Sequence, residues 1–341
     1  MMVWYNTRKI CKGEKPKMLF SVFLFAIGLV LLIKGGDWFV DGATGIAKRF
    51  NLPDIVVGAT VVSIGTTLPE VMVSTTGALQ GSGAMAYGNA IGSIICNTAL
   101  IAAISITCNP GPVNVKSMKT PALFFFGSAA LYCLAAYGLG EFPRWLGFVM
   151  LTVFVVYMIL TVRNGMKNPD AAGEEEEEGG KERKMWQELA LLIVGAAVIA
   201  VGADLLVEHG QIIAIDLGVP ETVVALLFVA LGTSLPELVT TITSLKKGRA
   251  SLGVGNVIGA NVFNLVLVSG VAVSLAPFPV PAENTLLNTG LNLSLVFDIP
   301  VMLGVMSLMI FPALMKKKLG RWQGIALLCI YAAFVVCQFV L

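Results

Sequence analysis

Long apolar stretches without a charged side chain dominate this sequence and restrict what it can fold into. Four of them span residues 120–140, 145–162, 251–282 and 322–341. A helix needs about 20 apolar residues to cross a bilayer, so these stretches predict membrane spans. Of the 341 residues, 56% are hydrophobic and only 13% are charged, whereas soluble domains carry about 25% charged residues. A water-soluble enzyme and a nucleic-acid-binding protein are therefore excluded, and the net charge of +2 implies no polyanionic partner.

The hydropathy pattern predicts an all-α membrane protein with ten transmembrane helices. We expect an N-terminal tail at 1–17, a first set of five helices at 18–163, an acidic linker at 164–185 and a second set of five at 186–341. A calcium-sensing loop in the linker is disfavoured, because the five adjacent glutamates Glu174–Glu178 lack the alternating spacing of an EF-hand. The predicted helices lie near 18–48, 54–79, 84–107, 120–139, 143–163, 186–214, 220–246, 250–275, 286–314 and 320–341.

The two halves are copies of each other at a constant offset of 167 residues. The segment Gly65–Glu70, with the sequence GTTLPE, matches Gly232–Glu237, with the sequence GTSLPE. Farther along, Gly88-Asn89 matches Gly255-Asn256, and the match continues at single positions: Asn97 with Asn264, Asp37 with Asp204, and Pro53 with Pro220. The pattern indicates an internal duplication.

An odd number of helices in each copy predicts that the second copy is inserted upside down, as an inverted repeat. The basic residues identify the two sides of the membrane. Most of them fall on the loops that face one side if the N-terminus is outside, although the N-terminal tail is itself basic. The positive-inside rule then places the N-terminus outside and the linker in the cytoplasm.

Two acids stand apart from the other charges. Glu70 lies in a stretch that is otherwise uncharged from residue 55 to residue 115, and Glu237 is its copy. A carboxylate at mid-membrane costs several kcal/mol unless it is neutralised, so both are candidates for function. Inverted repeats meet near the midplane of the bilayer, and we therefore expect both acids at one site.

The residues around the two acids predict an oxygen-lined cation site. Pro69 and Pro236 cannot donate a backbone hydrogen bond and are expected to open their helices and free carbonyl oxygens. Hydroxyl and amide oxygens surround them, and such oxygens suit Ca²⁺ and Na⁺ better than copper or zinc. Two carboxylates about 4 Å apart repel by about 4 kcal/mol at an effective dielectric of 20. Either a bound cation load or a proton relieves that repulsion, which is the logic of an antiporter.

The doubled GT(T/S)LPE and Gly-Asn motifs resemble the alpha repeats of the calcium/cation antiporter superfamily, and within it the prokaryotic sodium/calcium exchangers. The resemblance spans nearly the whole chain. It implies a central site formed by helices 2, 3, 7 and 8, alternating access as helices 1 and 6 slide, and a multi-pass protein of the plasma or inner membrane. The implied ligands are the side chains of Thr66, Thr67, Glu70, Ser93, Asn97, Thr233, Ser234, Glu237 and Asn264, with the backbone carbonyls of Ser63 and Ala230.

Two positions depart from the family pattern. Ala260 stands where its repeat partner is Ser93, so one hydroxyl is lost, and Asn264 stands where some members, including potassium-dependent ones, carry Asp. The resulting charge of −2 argues against potassium dependence and leaves the sodium stoichiometry open. Proton-coupled members usually carry an acid or histidine just after the Gly-Asn, which this chain lacks. Ca²⁺/H⁺ exchange is therefore the alternative to Na⁺/Ca²⁺ exchange.

Other functional classes have weaker support. Acid rings also select cations in channels, but a closed inverted-repeat site favours exchange. The sequence has no Walker A motif, so neither ATP-driven pumping nor an enzymatic activity is predicted, and no cofactor or obligatory protein partner is expected beyond the lipid bilayer and the transported Ca²⁺ and Na⁺. Asp37 and Asp204 are expected to form structural pairs, for example Asp37 with Lys34.

Overall fold

In a computed structural model of the chain, residues 18–50, 52–167, 183–217, 232–281 and 292–340 are described. These residues form ten helices (α1 to α10) and four two-residue strands (β1 to β4). The helices are α1 Met18–Arg49, α2 Asp54–Leu79, α3 Gly83–Cys108, α4 Val115–Leu139, α5 Arg144–Met166, α6 Met185–Asp216, α7 Leu235–Lys246, α8 Ala250–Leu275, α9 Ser294–Lys316 and α10 Arg321–Val340. The strands are β1 Gly111–Pro112, β2 Glu141–Phe142, β3 Phe278–Pro279 and β4 Lys318–Leu319.

Nine of the helices in the described parts of the chain are long and apolar enough to cross a membrane. The predicted all-α membrane architecture is confirmed. The other helix, α7, has 12 residues, and residues 220–231, which the prediction assigns to the same helix, lie outside the described residues. The predicted start of α4 at residue 120 is too late. Asn114 caps this helix by accepting hydrogen bonds from the backbone N–H groups of Lys116 and Ser117, so Lys116 and Lys119 belong to the helix.

Helices α1 and α6 are packed against each other along their length and run antiparallel. A Cβ on Gly28 would lie 2.9 Å from the carbonyl oxygen of Gly202, and a Cβ on Gly202 would lie 2.9 Å from the carbonyl oxygen of Gly28. Farther along α1, Gly42 meets the backbone of Glu188 and Leu192 near the start of α6. Small residues are needed here because the two backbones touch. Two helices in matching positions of the duplicated sequence therefore point in opposite directions.

Helix α2 is packed equally closely against α8. A Cβ on Gly58 would lie 2.7 Å from the backbone nitrogen of Asn256, and one on Gly255 would lie 2.8 Å from the Cα of Ile55. Gly259 comes next along the same face, against Ala59. This stripe of glycines brings the first motif, on α2, directly onto the Gly-Asn segment of the second repeat.

The short strands pair across the two halves of the chain. β1, after α3, pairs antiparallel with β4, after α9. β3, after α8, pairs antiparallel with β2, after α4. A loop of the first half therefore meets a loop of the second half in both pairs, and the pairs group together loops that the predicted topology assigns to the same side of the membrane.

Several helices contain a π-helical turn, and three of these turns adjoin the duplicated motifs. They cover Gly58–Val62 in α2, Asn97–Ala102 in α3 and Asn264–Val268 in α8. A serine five residues after the first residue of a turn donates to its carbonyl, at 2.8 Å from Ser63 Oγ to Gly58 and at 2.9 Å from Ser269 Oγ to Asn264. Turns of this kind are frequent at functional sites, and Asn97 and Asn264 begin two of them.

Candidate ion-binding site

The two duplicated acids are fully buried in the protein interior. Glu70 lies in α2 and Glu237 in the first turn of α7, and each has an exposure of 0%. None of their four carboxylate oxygens accepts a hydrogen bond from the described residues. The two side chains are near enough for a direct electrostatic interaction. Buried carboxylates are normally paired, hydrogen-bonded or bound to a metal ion, so this arrangement has the chemistry of a cation site.

The two amides of the motifs share this setting. Asn97 and Asn264 occupy the first positions of the π-helical turns in α3 and α8. Both are 0% exposed, and neither the oxygen nor the nitrogen of either amide has a hydrogen-bond partner in the described part of the chain. Their carbonyl oxygens can therefore serve as neutral ligands.

The predicted hydroxyl ligands fall on the same elements. Thr66, Thr67 and Ser93 are buried on α2 and α3, while Thr233 and Ser234 form the turn before α7. The hydroxyls of Thr67 and Ser234 make no hydrogen bond to any described residue. The carboxylate of Glu237 lies close to the hydroxyls of Thr66 and Thr67 without forming a well-aligned hydrogen bond to either. The first repeat thus supplies neutral oxygens to the acid of the second.

The backbone at the two prolines differs from the expectation. α2 continues through Pro69, so the first helix does not open at the motif; its irregular turn lies earlier, at Gly58–Val62. The reason is that a proline removes only one backbone donor, while the glycine contacts with α8 hold the helix in place. In the second copy, Thr233 and Ser234 leave the helical conformation, and Pro236 stands in the first turn of α7, where proline is tolerated.

Of the two residues whose backbone carbonyls are predicted ligands, Ser63 and Ala230, the structure describes only Ser63. Ala230 lies outside the described residues. Ser63 is described, and its hydroxyl oxygen, which lies 2.8 Å from the carbonyl of Gly58, also lies 3.0 Å from the carbonyl oxygen of Asn256 and 3.3 Å from its Oδ1. The side chain of Ser63 therefore ties the first motif to the second repeat, a role that the sequence did not indicate.

Asn89 and Asn256 are important residues that the predicted ligand set omits. Thr66 Oγ1 donates to Asn256 Oδ1 at 3.2 Å, and Thr233 Oγ1 donates to Asn89 Oδ1 at 3.3 Å. The two bonds are equivalent under the 167-residue offset, since each motif threonine bonds to the Gly-Asn asparagine of the other repeat. The duplicated Gly-Asn was the available signal, but spacing alone does not show which groups touch across the repeats.

Helices α1 and α6 cover the site. A cavity of about 10 Å³, the size of a single water position, is lined by Thr66, Pro69 and Pro236 from the two motifs, together with Phe39 of α1 and Ile199 of α6. The ring of Phe39 also packs on Gly65, where an added Cβ would lie only 2.9 Å from the ring. The glycine that opens the first motif therefore accommodates a side chain from the covering helix.

The acids on α1 do not join this site. Lys247, just after α7, lies 2.6 Å from Asp41 Oδ1 and 3.8 Å from Asp37 Oδ1, so the structural partner of Asp37 is Lys247 rather than Lys34. Asp298 in α9 accepts a hydrogen bond of 2.9 Å from Gln338 Nε2. Among the described residues, no group of three or more His, Cys, Asp or Glu side chains could hold a metal ion. The candidate site thus consists of two carboxylates and neutral oxygens, a donor set that fits a hard cation.

Comparisons with known proteins agree with this chemistry. The family model described as "Sodium/calcium exchanger protein" matches residues 20–163 and 188–340. The sodium/calcium exchanger MaX1 of Methanosarcina acetivorans is 28% identical over 94% of this chain and 98% of its own. An uncharacterized membrane protein of Methanocaldococcus jannaschii is 34% identical over 92% of this chain and 96% of its own.

Solved structures of the sodium-calcium exchanger NCX_Mj have the same fold. One that was soaked with Na⁺ and Sr²⁺ superposes with a TM-score of 0.76 at 33% identity, over 94% of this chain and 99% of that one. The buried acids, the apolar helices and these similarities agree. The chain belongs to the sodium/calcium exchanger family, whose members are multi-pass membrane transporters that exchange cations and not enzymes.

Proposed function

We propose that this protein is a secondary active antiporter that exchanges Ca²⁺ for Na⁺ by alternating access at one central site. In this proposal, two inverted five-helix repeats at 18–163 and 186–341 form ten transmembrane helices. The antiparallel packing of α1 and α6 supports the inversion, because these helices begin the two copies. The reciprocal strand pairs and the reciprocal Thr–Asn bonds support it as well.

The observation that carries the proposal is the pair of fully buried carboxylates without hydrogen-bond partners among the described residues. Two such charges destabilise each other by roughly 4 kcal/mol at 4 Å and an effective dielectric of 20. A single Ca²⁺ matches a charge of −2, and two or more Na⁺ ions deliver the same neutralisation. The site can therefore change its load without remaining empty and charged, which is what an exchanger requires.

The ligands proposed for the two ions are the oxygens predicted from the sequence. Glu70 and Glu237 bind Ca²⁺, with Thr66, Thr67, Thr233, Ser234 and the carbonyls of Ser63 and Ala230 completing the coordination. Ser93, Asn97 and Asn264 add sites for Na⁺. With Asn at position 264, the site needs no K⁺ to balance a third acid, and the protein needs no resident cofactor or partner subunit.

Sidedness follows from the basic loops. We place the N-terminal tail at 1–17 outside the cell and the linker at 164–185 in the cytoplasm, with the protein in the plasma or inner membrane. Contacts among the loops are consistent with the grouping of loops that this orientation assumes: Arg249 pairs with Asp54 at 2.9 Å, and Arg49 donates to the carbonyl of Arg183 at 3.0 Å. These bonds gather the loops on the predicted cytoplasmic side into one group.

A gradient comparison in proteoliposomes tests the function. We expect ⁴⁵Ca²⁺ uptake into Na⁺-loaded vesicles, and no uptake into Na⁺-free vesicles that carry only a pH gradient. Uptake driven by the pH gradient alone would instead establish Ca²⁺/H⁺ exchange, and single-channel currents in a planar bilayer would establish a channel.

The shared site is tested by Glu70→Gln and Glu237→Gln, which keep the shape of each side chain and remove its charge. We expect each variant to lose uptake by about 100-fold or more, since about 3 kcal/mol is lost with one charged ligand. Na⁺-dependent uptake at the wild-type rate in either variant would show that the two acids do not form one site.

A further inference from the structure

Asn256 and Asn89 accept hydrogen bonds from the hydroxyl groups of Thr66 and Thr233, respectively. A hydroxyl that binds a cation must direct a lone pair at the ion, so its proton has to point elsewhere. Asn256 Oδ1 receives that proton from Thr66, and Asn89 Oδ1 receives it from Thr233. Partners of this kind orient the groups that bind a metal ion, and losing one typically costs about 10- to 100-fold in affinity.

The two asparagines differ in what their amide N–H groups do. Asn89 Nδ2 donates to the carbonyl oxygen of Glu70 at 3.2 Å and to Ser74 Oγ at 2.8 Å. The network around Asn89 therefore links both repeats and is complete.

Asn256 makes neither of the two hydrogen bonds that would correspond to those of Asn89. Under the 167-residue offset, its acceptors would be the carbonyl oxygen of Glu237 and the hydroxyl of Thr241. Asn256 Nδ2 and Thr241 Oγ1 are both buried, and neither has a hydrogen-bond partner among the described residues. Asn256 is 0% exposed and Thr241 is 2% exposed, so both groups lie in the protein interior. A buried donor and a buried acceptor thus lie in equivalent places with their bond unmade.

We propose that Asn89 and Asn256 are positioning residues. The hydrogen bonds that their side-chain amides donate form in one repeat and break in the other when the site changes the side of the membrane to which it opens. In the described state Asn89 holds Glu70 and Ser74. In the opposite state Asn256 donates to the Glu237 carbonyl and to Thr241, while Asn89 releases Ser74. The inference rests on the proposed alternating access and on the inverted symmetry of the repeats, by which a bond that one repeat makes in one state is made by the equivalent residues of the other repeat in the opposite state. It adds the groups that make each conformation stable: Ser74 belongs to one state and Thr241 to the other.

Opposite effects of Ser74→Ala and Thr241→Val test this exchange. Apparent Ca²⁺ affinity is measured on each face of the membrane, with right-side-out and inside-out vesicles from cells that express the full chain. Ser74→Ala removes an acceptor from the described state and Thr241→Val removes one from the opposite state. We expect the ratio of the two affinities to move about fivefold in opposite directions, which corresponds to about 1 kcal/mol for one hydrogen bond.

Two further variants make the result specific. Thr241→Ser keeps a hydroxyl and is expected to restore the wild-type ratio. Thr75→Val removes an α2 hydroxyl that also has no partner in the described part of the chain, and it lies outside the proposed network, so the ratio should stay at the wild-type value. A Thr241→Val ratio equal to the wild type, or shifts of both variants in the same direction, would overturn the exchange.

The wild type separates this inference from the proposed function. If Na⁺-driven uptake is absent in the wild type, the proposed function fails. The proposed switch of hydrogen bonds is then tested by hydrogen–deuterium exchange of the backbone amides in the purified full chain. Ser74→Ala must lower protection in α2 relative to α7, and Thr241→Val must do the reverse. Equal losses of protection in α2 and α7 would contradict the inference, because they indicate a general loss of stability and not a shift between the two states.

Discussion

The two copies of the GT(T/S)LPE motif have nearly the same sequence and different structures. In the first copy, helical structure continues through Pro69, and Glu70 lies inside a helix that is packed closely on α8. In the second copy, Thr233 and Ser234 form a turn, and Glu237 stands in the first turn of α7. Local sequence cannot cause this difference, because it is almost identical. Packing decides it, and a duplicated transport motif can therefore occupy two conformations in one molecule.

The two copies also share features that local sequence does impose. Gly81 follows α2 with φ of 82°, and Gly248 follows α7 with φ of 73°. These positions are 167 residues apart. Left-handed backbone is costly for residues with a Cβ, so glycine ends both helices in the same way. The ends of the motif helices are thus symmetric, while the described backbone just before the two prolines is not.

The largest effect is expected where the first copy is packed on α8. In Gly259→Val, the new Cβ would lie 2.6 Å from the Cα of Ala59. This overpacking costs about 1–3 kcal/mol or more, and it separates the glycine-lined helices. We expect lower thermal stability in detergent and loss of Na⁺-dependent Ca²⁺ uptake.

Gly127→Val is the matched control for this substitution. Gly127 lies on an exposed part of α4, and a Cβ there would meet no described atom within 4 Å. Stability and uptake should stay close to the wild type. If Gly259→Val is equally harmless, the close packing of α2 on α8 does not hold the first copy in its conformation.

Removing the motif threonines compares the two copies directly. Thr66 is 1% exposed and bonds to an asparagine with an exposure of 0%, whereas Thr233 and Asn89 are only part-buried. Thr66→Val leaves a buried acceptor weakly satisfied and should raise the Ca²⁺ concentration for half-maximal uptake about tenfold, against about threefold for Thr233→Val. Thr66→Ser should behave like the wild type. Equal losses for the two valine variants would show that the asymmetry has no effect on binding.

A smaller effect is expected at the position where the copies differ in sequence. Ser93 has a hydroxyl and its repeat partner Ala260 has none. Ala260→Ser should lower the Na⁺ concentration for half-maximal exchange about threefold, because it adds one neutral ligand worth about 0.7 kcal/mol. Ser93→Ala should raise it by a similar factor. Ca²⁺ dependence measured in parallel should change less than Na⁺ dependence, and the reverse outcome would assign Ser93 to the Ca²⁺ ligands.

The smallest effect is expected at the ion pair between α1 and the end of α7. Lys247 bonds to Asp41 in one copy, and its repeat partner is the uncharged Gln80. The pair is partly exposed, so Lys247→Gln should change the exchange rate less than about threefold, in line with 0.2–1 kcal/mol for surface pairs. The difference should disappear in high salt. A larger effect that persists in salt would indicate that this contact has a role of its own in the movement of α1.

Much of the fold follows from the sequence, because the bilayer leaves few alternatives. Apolar stretches of about 20 residues must be helical to satisfy their backbone groups in lipid, and most predicted boundaries agree with the structure to within a few residues. α4 was an exception, since the capping by Asn114 is a local contact that a hydropathy pattern does not detect. The π-helical turns were not predicted either, because no residue type specifies them.

The residue types of the candidate site can be predicted from the sequence, whereas the contacts between these residues cannot. The acids, amides and hydroxyls were found from duplication and from the cost of a charge in the membrane. Asn89 and Asn256 were seen only as parts of a motif, since their roles depend on contacts between residues that are 144 and 190 positions apart. Pairing across such distances is set by how the repeats pack.

By itself, the sequence determined that this protein is a helical membrane protein with two copies of one motif, each with a single acid at membrane depth. That much follows from burial energies, which depend on residue type and order along the chain. Only the tertiary structure decided that the first copy stays helical while the second turns at Thr233–Ser234, and that each threonine finds the asparagine of the other repeat. These outcomes depend on which backbones and side chains meet when the helices pack, and two nearly identical motifs in different surroundings need not adopt the same conformation.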